Sequence, residues 1–81
     1  MRVTVRLFAR LKDLVGAGEL VRDVAAPATA ASIWRSLVAD YPALADYERT
    51  MSVAVNADYA RMPAEVRDGD EVAFLPPVSG G

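Results

Sequence analysis

The chain has 81 residues, no cysteine and no histidine, a hydrophobic fraction of 53% and a formal net charge of −2. One domain of this length buries only about 60–65% of its unfolded surface, which leaves little room for an independent enzyme. The missing residue types exclude disulfides, thiolate chemistry, imidazole metal ligands and a Ser-His-Asp triad.

Residues Arg2 to Phe8 alternate with period two and place Val3, Val5 and Leu7 on one face of a first strand. Ala9 to Val15 reads as a short helical turn ending at Gly16, and Gly16-Ala17-Gly18 as a loop. That loop begins like a dinucleotide fingerprint but lacks its third glycine, and no strand-to-helix context surrounds it. Glu19 to Val24 pairs back as a second strand, with Ala25 to Ala28 as its exit. Thr29 is the expected N-cap of a helix. Ser32 stands where a capping box takes Glu or Gln, so the box is expected to be incomplete. Ala30, Ile33, Trp34, Leu37, Val38 and Tyr41 recur at helical spacing and form a core-facing stripe. Pro42 ends the helix at Tyr41, and Ala43 to Arg49 reads as a second, shorter helix.

Ser52 to Asn56 is a third strand with Val53 and Val55 inward, and Asn56-Ala57-Asp58 turns into a short strand around Tyr59-Ala60-Arg61. Met62 to Arg67 reads as irregular. Asp68-Gly69-Asp70 is a turn feeding the last strand, Glu71 to Leu75. The carboxylates of Asp68, Asp70 and Glu71 lack EF-hand spacing and read as solvated turn residues, so no metal site is expected. The order of elements predicts an α+β domain over residues 1–75, one main helix on a mixed sheet of four to five strands. With the first and last strands paired in parallel, this is a β-grasp, or ubiquitin-like, arrangement.

Residues 76–81 read as a flexible C-terminal tail. Pro76 and Pro77 fix φ and withhold backbone donors, so the sheet must stop there. Val78, Ser79, Gly80 and Gly81 follow as a thin thread closed by a carboxylate. Six extended residues reach roughly 20 Å, enough to thread into another protein's active site. Ser79 has no base beside it, which leaves the Gly81 carboxylate as the one unusual reactive group. Such a group is ionised and a poor electrophile at neutral pH. It must be activated, for instance as a mixed anhydride with AMP. Nothing in the chain resembles a phosphate-binding loop, so a partner has to supply ATP.

Leu7-Phe8-Ala9-Arg10-Leu11-Lys12-Asp13-Leu14-Val15-Gly16, Val53-Ala54-Val55-Asn56 and the run from Asp68 to Gly81 resemble the small subunits of molybdopterin synthase, the MoaD-type sulfur carriers. The resemblance runs from end to end. It implies adenylation of Gly81 by an ATP-dependent adenylyltransferase and conversion to a thiocarboxylate. It further implies insertion of the tail into the synthase large subunit, within a heterotetramer. Sulfur then passes to cyclic pyranopterin monophosphate in molybdenum cofactor biosynthesis. No resident cofactor is implied. The alternatives are a thiamine-pathway sulfur carrier, a ubiquitin-like protein modifier and, from another class, a plain interaction domain.

Alternation along the first and last strands places Phe8 and Leu75 on the face opposite the core, with Ala54 and Tyr59 at its margin. Several apolar residues clustered near a reactive tail mark a docking surface, and Phe8, Tyr59 and Leu75 are its expected partner contacts. Scattered charge gives no stripe for nucleic acid. No apolar run approaches the ~20 residues of a membrane span. Arg2, Arg6 and Arg10 interrupt any N-terminal signal, so a cytoplasmic protein is expected.

Overall fold

In the computed structural model, which describes residues 1–77, the period-two segments pair into one sheet. Strand β1 (Arg2–Leu7) runs antiparallel to β2 (Glu19–Asp23) and parallel to β7 (Glu71–Leu75). On the far side of β7 lie β4 (Ser52–Val55) and then β5 (Asp58–Ala60), both antiparallel to their neighbours. The order is therefore β2-β1-β7-β4-β5, with the first and last long strands side by side, as the β-grasp reading requires.

Val3, Val5, Leu7, Val53, Val72 and Phe74 are buried on the inner face of this sheet. Helix α2 (Ala30–Asp40) covers them with Ala30, Ile33, Trp34 and Leu37, all buried. The Trp34 and Phe74 rings meet at 5.1 Å between centroids with a 52° tilt, within the favourable range for aromatic pairs. Leu11 of helix α1 (Ala9–Val15) and Leu44 of the following 3₁₀ helix complete the core. Gly16 ends α1 at φ 86°, a left-handed conformation that a side chain resists, and its N–H bonds the Lys12 carbonyl.

Three expectations need correction. The capping box at the start of α2 is complete. Thr29 Oγ1 accepts from the Ser32 N–H at 3.1 Å, while Ser32 Oγ accepts from the Thr29 N–H at 2.9 Å. Serine is short, but the third helical position aims its hydroxyl back at the cap. Second, the segment after Pro42 winds as a 3₁₀ helix over Pro42–Tyr47 rather than as a helix from Ala43 to Arg49.

Third, the stretch expected to be irregular contains β6 (Glu65–Val66). It pairs antiparallel with β3 (Ala28–Thr29), itself inside what reads as an exit and a cap. Two-residue strands carry no detectable period.

The turn carboxylates of Asp68 and Asp70 lie at the surface, as expected, and also accept specific hydrogen bonds. Asp68 Oδ1 accepts from the Arg2 N–H at 2.7 Å, and Asp70 accepts from the Arg67 N–H and the Asn56 amide. The Asn56 amide, followed by the Arg67 backbone N–H, holds the Asp70 carboxyl below the ordinary carboxylate range. Asn56 Oδ1 in turn accepts from the Glu71 N–H at 2.9 Å, so one side chain ties the β4–β5 turn to the start of β7.

Candidate functional site

The sheet has two faces, and the helices cover only one. Register carries a row of outward side chains across four strands: Arg6 on β1 opposite Ala73 on β7, Ala73 opposite Ala54 on β4, and Ala54 opposite Tyr59 on β5. Phe8 lies just past β1 with extended backbone, so alternation turns it away from the buried Leu7. It is 37% exposed, and Tyr59 is 82% exposed. Leu75, the last residue of β7, is half-buried on the same face. Phe8 and Leu75 form a ridge between two open hollows.

The first hollow, about 530 Å³, is lined by Phe8, Arg10, Tyr47, Leu75, Pro76 and Pro77. It lies where the chain leaves the sheet, since β7 stops at Leu75 before the two prolines. The second, about 350 Å³, is lined by Arg6, Phe8, Ala54, Tyr59, Ala73 and Leu75, among others. The structure thus brings together the expected contacts Phe8, Tyr59 and Leu75 with Pro76 and Pro77. Val78, Ser79, Gly80 and Gly81 lie outside the described residues.

Sequence reasoning missed Arg6, Tyr47 and Ala73. Arg6 is an outward residue on a strand, a pattern that reads as solvated. Its guanidinium carbon instead sits 5.6 Å from the centroid of the Phe8 ring. Ala73 signals only by its smallness, which leaves a low floor between larger neighbours.

Chemically this surface offers apolar area, two arginines and the carboxylate of Glu71. Among the described residues no group of three or more Asp and Glu is arranged to hold a metal ion. No helix of the described residues is long and apolar enough to cross a membrane. The arrangement is suited to holding a partner against the root of the segment that follows Leu75.

Residues 5–81 match the model of the ThiS family. The chain belongs to that family. It is 32% identical over 83 residues to the molybdopterin synthase sulfur carrier subunit of Chlamydomonas reinhardtii, with all of both chains covered. To the protein of the same name from Escherichia coli it is 37% identical over 82 residues, covering 98% of this chain and 99% of that one. Among solved structures, SAMP1 of Haloferax volcanii, a small archaeal modifier protein, superposes with a TM-score of 0.84 at 31% identity, with both chains fully covered.

Proposed function

We propose that this chain is the sulfur carrier subunit of a molybdopterin synthase. The observation that carries the reading is positional. An outward apolar ridge of Phe8 and Leu75 stands at the root of Pro76-Pro77-Val78-Ser79-Gly80-Gly81, in a chain that spans a relative so named from end to end.

On this reading the Gly81 carboxylate is the reacting group. An ATP-dependent adenylyltransferase joins it to AMP with release of pyrophosphate. A sulfur nucleophile then displaces AMP to leave a thiocarboxylate. Docking on the synthase large subunit through Phe8, Tyr59 and Leu75 directs Pro76 to Gly80 into that subunit's active site. There the thiocarboxylate gives up its sulfur to cyclic pyranopterin monophosphate, and water restores the carboxylate. The carrier works in the cytoplasm and needs no cofactor of its own, because the partner brings the ATP. The chemistry resides at Gly81, and the rest of the chain is a handle.

The likeness to a small archaeal modifier protein favours a second reading, in which the activated carboxylate is joined to lysine amines. An intact-mass measurement on protein from its native cell separates the two. Replacement of one oxygen by sulfur at the C-terminus is expected for the carrier, and an isopeptide to lysine for the modifier. Neither adduct, in cells that are making molybdenum cofactor, overturns the proposal.

A further inference from the structure

Arg6 lies on the uncovered face, and among the described residues no carboxylate comes within ion-pair distance of it, although Glu71 lines the same hollow. Arg6 stands directly opposite Glu19 in the β1–β2 register. Yet the ion pairs within 4 Å among the described residues are Arg2–Asp23, Arg22–Asp40 and Arg67–Glu65. The guanidinium turns instead over the Phe8 ring, 5.6 Å from its centroid. Its Nε is the one buried side-chain polar atom among the described residues with no hydrogen-bond partner. A buried donor left unmatched is unfavourable, and such exceptions call for an explanation. A guanidinium held over an aromatic ring keeps its charge, and its outer N–H groups remain the ones a planar acceptor can meet.

Beside Arg6 the sheet sinks. Ala73 and Ala54 floor the second hollow, with Arg6 and Phe8 on one side, Tyr59 on the other and the Glu71 carboxylate at its far end from Leu75 along β7. Three strand spacings separate β1 from β5, about 14 Å, which is wide enough for one extended segment of another chain. Such a segment desolvates Arg6 on arrival. With neither Glu19 nor Glu71 within ion-pair distance of Arg6, an acceptor brought by the segment meets that need, and a carboxylate matches both the charge and the fork geometry.

We propose that Arg6 anchors an Asp or Glu side chain of the synthase large subunit, carried on a segment laid into the trough floored by Ala54 and Ala73. This rests on the reading that the large subunit docks on this face, and it names the chemistry of the contact. Phe8 then has two tasks, as an apolar contact and as the platform that orients Arg6.

The test is titration of the large subunit with the folded wild type, Arg6→Met, Arg6→Lys and Phe8→Asp at several salt concentrations. Methionine keeps the aliphatic cover of the sheet and removes every donor, and thermal melts report whether each variant is folded. Arg6→Met is expected to bind about tenfold more weakly and to lose most of the wild type's salt dependence. Lysine should restore part of the affinity, since it keeps the charge and loses the fork. Wild-type affinity in Arg6→Met alongside failed binding by Phe8→Asp overturns the anchor and leaves the docking face standing. Weakened binding with an unchanged salt dependence means a neutral acceptor and overturns the carboxylate. Full affinity in both Arg6→Met and Phe8→Asp overturns the docking face itself. Should Arg6→Met not fold, Arg6→Gln replaces it and is read by the same criteria.

Discussion

Replacing Phe8 with aspartate probes the docking surface most directly. A phenylalanine side chain offers roughly 150–250 Å² for burial. With Phe8 37% exposed, about 75 Å² remains for a partner to cover. At about 25 cal/mol per Å² that area is worth about 2 kcal/mol of binding. Aspartate forfeits this and adds a carboxylate at the ridge. It also sits within reach of Arg6, and pairing with it would occupy a cation otherwise open to the partner, which adds to the loss. The expected outcome is at least a tenfold weaker complex with the synthase large subunit, about 1.4 kcal/mol, in a protein that melts cooperatively. Isothermal titration of the folded mutant measures this. Unchanged affinity removes the patch from the interface. A mutant that fails to fold would show that Phe8 belongs to the core, against its partial exposure.

Deleting Gly81 is expected to abolish acceptance of AMP from the activating enzyme while leaving the melting temperature nearly unchanged; radiolabelled adenylate transfer and a thermal melt check both halves. Phe74→Ala removes the ring packed at a tilt against Trp34 in the core, and a loss of about 3–5 kcal/mol is expected in denaturant titration. Asp70 has a folded-state pKa held below its ordinary 3.8 by Asn56 and Arg67. Its contribution is therefore present above that value and lost as pH falls through the lower, folded one. Asp70→Asn should be less stable than wild type at neutral pH, with the difference shrinking below about pH 4, and acid-titrated melts decide it.

What sequence made legible here follows from period. Val3, Val5 and Leu7 repeat every two residues, and Ile33, Trp34 and Leu37 follow a helical stripe; each set is buried where its period places it. Outward placement of Phe8 and Leu75 comes from the same alternation. What stayed hidden depends on contacts far apart in the chain. The Asp68 bond to the Arg2 N–H joins residues 66 positions apart, and no local pattern announces it. The pair β3 and β6 is two residues long on each side, too short to show alternation. Arg6 was hidden for a different reason. An outward arginine on a strand looks like any solvated charge until its position over the Phe8 ring and its unmatched Nε are seen.

The strand order ties docking to delivery. β7 is the middle strand of five, so the segment beginning at Pro76 leaves from the centre of the sheet rather than from an edge. A partner lying over the uncovered face of β1, β7 and β4 therefore stands beside that exit without any rearrangement of the domain. Leu75 ends the strand and helps line both hollows, so a partner seated on it, as proposed, would fix where the following segment starts. On the proposed reading, six residues then separate that origin from the reacting carboxylate, two of them prolines with set φ, and an extended stretch of that length spans roughly 20 Å. An anchor two or three residues further back would lengthen the free thread and dilute the carboxylate at its target. If the proposed docking holds, the apolar ridge and the prolines act as one device, the ridge setting where the segment after Leu75 starts and the prolines restricting its first two φ angles.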